Sequence, residues 1–165
     1  MKKKFLSGMI LCIMIIFVKP VAAQDHGFGV GVILGEPTGI SAKLWTSSDN
    51  AIDFGLGFSD GGDRIAYNGD YDGDTRYHFH MDYLWHSFNA INSVERFPIY
   101  YGIGFMFNNG AGYDAAFGVR GVIGIAWLSR SIPIDIFAEL APVLQLTSVV
   151  GLGVEGGVGI RYFFE

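Results

Sequence analysis

Apolar side chains recur at every second position in eight segments of the chain, and stretches rich in Gly, Pro, Ser, Asn and Asp separate the segments. A period of two is typical of β-strands that have one apolar and one polar face. We predict strands over residues 28–34, 40–46, 51–59, 77–86, 99–107, 117–127, 134–146 and 152–164. Short consecutive strands joined by turns predict an all-β fold, an eight-stranded antiparallel up-and-down β-barrel.

The fourth segment has the clearest division between its two faces. One face carries Tyr77, Phe79, Met81, Tyr83 and Trp85, and the other carries His78, His80, Asp82, Leu84 and His86. In a soluble barrel the apolar face points inward, whereas in a membrane barrel it contacts lipid and the polar face fills the lumen. Alternation alone does not decide between these two orientations.

The low charge of the polar faces favours the membrane orientation. The strands carry about one charged residue each, diluted with Gly, whereas the surface of a soluble domain is usually about a quarter to a third charged. A few opposite charges and small residues suit the narrow interior of an eight-stranded barrel. We therefore predict a polar network in the lumen, formed by Lys43, Asp53, His78, His80, Asp82, Arg120, Asp135, Glu139, Glu155 and Arg161.

Aromatic residues at the strand ends support the same orientation. In an up-and-down barrel the even-numbered strands all end at one rim, and large aromatic side chains are enriched at membrane interfaces. The residues predicted for this aromatic rim are Trp45, Trp85, Trp127, Tyr162 and Phe164. Strict alternation would put Trp45 on the same face as Lys43, so its assignment to the aromatic rim requires a bulge or a rim position there.

The first 23 residues have the layout of a secretory signal peptide: Lys2, Lys3 and Lys4, an apolar run over residues 9–18, and small residues at 22–23. A ten-residue apolar run is too short to cross a bilayer as a helix. We predict a cleaved signal peptide over residues 1–23 and an outer-membrane barrel domain over residues 24–165. The single cysteine, Cys12, lies in the signal, so the mature chain would contain no disulfide bond.

Composition agrees with this prediction and excludes several classes. Half of the residues are hydrophobic and 16% are charged, with 24 Gly, 14 Phe, 8 Tyr and a mean hydropathy of +0.34. Such a chain is too apolar to be disordered and too rich in Gly for a helical bundle. The formal net charge is −5, which gives a nucleic-acid partner no electrostatic basis.

The predicted mature chain resembles the small OmpA/OmpX-type outer-membrane β-barrels, and most closely an uncharacterised spirochaete-type family of them. The segments that carry the resemblance are residues 27–34 with the Gly35-Glu36-Pro37-Thr38-Gly39 turn, 81–86, 98–104, 136–142 and 159–164. The last segment is similar to the C-terminal signal that the barrel assembly machinery recognises. The resemblance implies an outer-membrane location in a Gram-negative-type envelope with both termini in the periplasm. It carries over no catalytic residue.

Three other kinds of chemistry fit parts of the sequence. His78 and His80, with Asp82, have the spacing to share a metal on one strand face. Asn68, Asp70, Asp72 and Asp74, with Gly73 at the sixth position, resemble the first half of a calcium loop, although Phe79 stands where that motif has Glu. The charged lumen set fits a plug or a narrow cation-preferring pore.

We predict an integral outer-membrane barrel with a plugged lumen and a structural or surface-interaction role through its outward loops. The expected partners are outer-membrane lipid, the barrel assembly machinery and an unidentified extracellular ligand or host molecule; no cofactor and no enzymatic activity are expected. One alternative is a lipid-modifying enzyme, which needs a Ser beside a His, such as Ser41 or Ser59 beside His78 or His80. The other is a soluble lipocalin-like barrel with an inward apolar pocket lined by Phe54, Phe79, Ile123, Ile136 and Ile160.

Overall fold

The chain folds into a closed antiparallel barrel. The computed structural model describes residues 26–59, 76–110, 113–147 and 150–164. The strands are β1 Phe28–Glu36, β2 Thr38–Trp45, β3 Asn50–Ser59, β4 Arg76–Ser87, β5 Ile99–Gly110, β6 Tyr113–Leu128, β7 Ile134–Gln145 and β8 Gly151–Phe164. Each strand pairs with the next in the sequence, and β1 pairs with β8. The predicted all-β, eight-stranded up-and-down barrel is therefore confirmed. Within these described residues no helix is long and apolar enough to cross a membrane.

The largest differences from the predicted strands lie at two turns. Between β1 and β2 only Pro37 remains outside the strands, because Gly35 and Glu36 continue the pairing with β8. Gly35 has a φ of 141°, which an L side chain rarely adopts, and its amide donates to the Thr38 hydroxyl at 3.1 Å. The other difference is at the connection between β5 and β6. Both strands extend further toward it than predicted, and the register shifts between Asn108 and Gly110.

The two ends of the barrel differ in the connections they carry. The turns at residues 46–49, 88–98 and 129–133 lie at the same end as Phe28 and Phe164, and we call this the terminal end. The opposite end carries the connections after β1, β3, β5 and β7. Residues 1–23 and the acidic segment with Asn68, Asp70, Asp72 and Asp74, which underlie the signal-peptide and calcium predictions, lie outside the described residues.

The two faces of the strands separate sharply. Large apolar side chains cover the outer wall, among them Leu34 at 61%, Leu56 at 57% and Leu152 at 74% exposure. The interior holds charged side chains together with a smaller apolar cluster, formed by Ile33, Leu84, Tyr100, Val122, Ala126, Phe137 and Ala141. The apolar face of this barrel therefore points outward.

Gly124 of β6 shows how closely the interior is packed. A Cβ atom at this position would overlap the Tyr100 ring and lie 2.7 Å from the backbone oxygen of Ala138. We expect Gly124→Ala to lower the free energy of unfolding by about 1–3 kcal/mol, because a tightly packed interior must shift to admit the methyl group. A Cβ atom on Gly151 would meet no other atom within 4 Å, so Gly151→Ala is the matched control and is expected to be neutral. Urea unfolding of both variants checks this, and equal effects would contradict the packing argument.

Candidate functional site

All ten side chains of the predicted lumen network lie inside the barrel. The most exposed of them, Glu139, is only 6% exposed. Because alternate residues of a strand share a face, the polar positions of six strands converge on one interior. They form two clusters, each centred on an arginine.

The first is the Arg120 cluster, in which one guanidinium contacts three carboxylates. Arg120 Nη1 lies 3.0 Å from Glu155 Oε2, Nη2 lies 3.4 Å from Glu139 Oε1, and Nε lies 3.3 Å from Asp82 Oδ2. The Tyr100 hydroxyl donates to Glu139 Oε2 at 3.0 Å. These groups come from β4, β5, β6, β7 and β8, so the cluster ties five strands together across the interior.

A histidine pair completes the Arg120 cluster. His78 Nε2 lies 3.0 Å from His80 Nδ1, so one ring donates a hydrogen bond to the other. His78 Nδ1 lies 3.7 Å from Glu155 Oε1, and His80 Nε2 lies 4.0 Å from Asp82 Oδ2. The two imidazoles thus link two of the carboxylates that surround Arg120, and the contacts close into a ring.

The second is the Arg161 cluster, which lies nearer the terminal end. Arg161 Nη2 lies 3.1 Å from Asp53 Oδ2, and Nε donates to Ser41 Oγ at 2.9 Å. Asp135 Oδ2 is shared between Arg161 Nη1 at 3.5 Å and Lys43 Nζ at 3.7 Å. Two cations therefore face two carboxylates here, whereas in the Arg120 cluster one cation faces three.

Several interior groups were not in the predicted network. Tyr100 and Ser41 contact the clusters, and His86 Nε2 lies 3.4 Å from Lys43 Nζ. The Lys43 ammonium also lies 5.0 Å from the centre of the Tyr100 ring, and the Arg161 guanidinium 3.7 Å from that of Phe137. The alternation of the strands could have identified them. Ser41, His86 and Phe137 are each an even number of residues from a predicted lumen residue of the same strand, and Tyr100 is two residues from Gly102.

The aromatic residues predicted for the rim all lie near the terminal end, but they do not all face outward. Trp85 and Phe164 are exposed on the outer wall, and Trp127 and Tyr162 are partly exposed there. Trp45 points into the barrel and is 7% exposed, so its assignment to an outward rim is wrong. Strict alternation continues to the end of β2 without a bulge, and the indole packs in a buried cluster with Ala51, Leu128 and Phe163.

The structure also bears on the proposed metal site and on the Ser–His pairs that a lipid-modifying enzyme would need. In the part of the chain that is described, no group of three or more His, Cys, Asp or Glu is arranged to hold a metal ion. The Ser41 hydroxyl accepts a hydrogen bond from Arg161, while His86 and Ser87 lie on opposite faces of β4. The arrangement is that of a buried ion network that connects strands.

Comparison of the chain with protein-family models, with curated proteins and with solved structures found no match in any of the three.

Proposed function

We propose that this chain is an integral outer-membrane β-barrel protein whose lumen is plugged by the Arg120 and Arg161 clusters, with a structural or surface-interaction role through its outward loops. The observation that carries the proposal is the orientation of the strand faces. The outer wall is largely apolar, and the charged side chains of the strands are buried inside. Water outside the barrel would leave this large apolar surface unfavourably hydrated, whereas lipid removes it from water.

The dimensions and closure of the barrel support the same proposal. Its strands are 8 to 16 residues long, and about 9–11 residues of a tilted strand cross a bilayer. Closure through the pairing of β1 with β8 leaves no open sheet edge among the eight described strands, which is the condition for a β-structure to remain stable in hydrocarbon. A Gram-negative-type outer membrane, with assembly through the C-terminal strand by the barrel assembly machinery and both termini in the periplasm, is the location that we propose.

The soluble lipocalin-like alternative requires the opposite orientation. The residues proposed to line its pocket include Ile123, Ile136 and Ile160, which point outward and are 56%, 44% and 43% exposed. The interior that would have to hold an apolar ligand contains buried charges instead. Orientation therefore favours the membrane barrel.

The proposal is tested by fractionating cells that express the full chain and by running the purified protein on a detergent gel with and without boiling. We expect it in the outer-membrane fraction, and we expect its mobility to change on heating, because a closed barrel resists the detergent until heated. Recovery of the protein in the soluble fraction without detergent would overturn the proposal. In planar bilayers we expect no steady conductance, and a sustained open current would contradict the plugged lumen.

A further inference from the structure

A polar cavity at the terminal end lies beside the Arg161 cluster, which it meets through the contact between His86 and Lys43, and it has no part in the proposed plug. We call it the rim pocket. It has a volume of about 500 Å³, within the range of small-molecule sites. Its lining includes Asp49, Trp85, His86, Phe88, Arg96 and Tyr101.

The cationic side of the rim pocket is held by the connection between β4 and β5. The Arg96 guanidinium lies 4.7 Å from the centre of the Phe88 ring, and Phe88 in turn stacks on His86 at 6.3 Å. The backbone carbonyl of Arg96 accepts a hydrogen bond from the Leu128 amide at 2.9 Å, which fixes this part of the connection against β6. Arg96 is therefore positioned by packing and by backbone pairing.

The anionic side comes from the turn between β2 and β3. The Ser48 hydroxyl donates to the Asp49 carboxylate, and the backbone carbonyl of Asp49 accepts a hydrogen bond from the His86 amide at 2.7 Å. The exposed Asp49 carboxylate is thus held at the pocket by a turn that is tied to β4.

The third side of the rim pocket faces the outer wall. Trp85 and Tyr101 stack with their ring centres 5.7 Å apart and an interplanar angle of 24°. Both rings lie on the outward face, 37% and 58% exposed. Aromatic residues at this position mark the level of the lipid head groups in a membrane barrel.

A guanidinium, a carboxylate and an outward aromatic pair around one cavity match the parts of one ligand. We propose that the rim pocket binds the head group of a membrane phospholipid that carries a primary amine. Arg96 contacts the phosphate, for which a guanidinium is the preferred side chain, and Asp49 accepts hydrogen bonds from the ammonium. Trp85 and Tyr101 pack against the glycerol and the start of the acyl chains. This inference rests on the proposed membrane location.

Native mass spectrometry of the purified protein, released from micelles that contain equal amounts of phosphatidylethanolamine and phosphatidylglycerol with the same acyl chains, tests the inference. We expect one phosphatidylethanolamine to remain bound in preference to phosphatidylglycerol. Arg96→Gln should lower retention of both lipids about tenfold, because it removes a charged hydrogen-bond donor from the phosphate. Asp49→Asn should remove the preference for phosphatidylethanolamine and leave retention of phosphatidylglycerol unchanged. Arg130→Gln is the matched control, since Arg130 is exposed at the same end of the barrel and does not line the pocket.

Equal retention of the two lipids by the unchanged protein, or full retention by Arg96→Gln, would overturn the inference. The gel-mobility test on the same preparations separates this failure from a failure of the proposed function. A heat-dependent shift without selective lipid retention overturns only the rim pocket. A protein that is soluble without detergent overturns the membrane location, and the lipid site with it.

Discussion

Replacing Arg120 by methionine is expected to lower the free energy of unfolding by about 3–5 kcal/mol, the largest effect that we predict for a single substitution. Methionine keeps much of the side-chain volume but removes the guanidinium that contacts Asp82, Glu139 and Glu155. Three buried carboxylates would then face one another without this cation. Separating like charges or protonating them costs free energy that the unfolded chain, with its carboxylates in water, does not incur.

Urea unfolding of the protein refolded in lipid vesicles, followed by tryptophan fluorescence, measures this effect. The exposed Arg130 provides the control, and Arg130→Met is expected to change stability by no more than about 0.5 kcal/mol. If Arg120→Met does not fold, the double variant with Glu155→Gln keeps the prediction testable. Removing one of the three carboxylates should restore folding, seen as a band on the detergent gel whose mobility changes on boiling. Equal stability of Arg120→Met and the unchanged protein would show that the cluster does not stabilise the barrel.

The second large effect is expected on the outer wall, where Ile123→Arg should lower the free energy of unfolding in lipid by about 2–4 kcal/mol. Ile123 lies within β6, is 56% exposed and pairs with Tyr101 and Leu140 on neighbouring strands. A guanidinium at this position would have to enter hydrocarbon. In water the same substitution at an exposed site would change stability by only about 0.5 kcal/mol.

Ile132 provides a matched control for this measurement. It is 49% exposed and lies in the turn between β6 and β7, outside the strands. We expect Ile132→Arg to leave stability nearly unchanged, because its side chain can reach the aqueous phase. A similar small effect at both positions would indicate that water, and not lipid, surrounds the barrel wall. The pair of variants therefore tests the membrane proposal independently of cell fractionation.

The two tests concern opposite faces of the same strands. The Arg120 variant probes the interior, where charge is stabilised only by its partners, and the Ile123 variant probes the wall, where the surrounding medium decides the cost of a charge. A soluble barrel with a buried ion network would show the first effect without the second. Only a barrel in lipid is expected to show both.

Much of the fold could be predicted from the sequence, because the face to which a side chain belongs follows from its position along its own strand. Alternation at His78, His80 and Asp82 is enough to assign them to one face, and the same rule applies to Lys43 on β2. The prediction for Trp45 was wrong because it gave more weight to the enrichment of aromatic residues at the rim than to the alternation of side chains along β2. The inward indole shows that the pleat of the strand decides the direction of a side chain, even at the last residue.

The partners within the network could not be predicted in the same way. Arg161 contacts Asp53, which is 108 residues away, and Arg120 contacts Glu155, 35 residues away. Such contacts depend on the stagger of the strands and on closure of β1 against β8, and no local pattern records either. The rim pocket is a further example, because Asp49 and Arg96 belong to different connections, which become neighbours only when β3 and β4 pair.

The sequence by itself determined the eight strands, the division of each into an apolar and a polar face, and the residues that make up each face, because these features follow from a period of two along a single strand. The low charge of the polar faces also predicted that they point inward, and the structure agrees. The tertiary structure alone decided which carboxylate meets which cation, and how the 88–98 connection forms a pocket beside the turn at residues 46–49. Those features arise when separate strands are brought into register, so the physical reason lies in the pairing of the strands and the closure of the sheet, and not in any one strand.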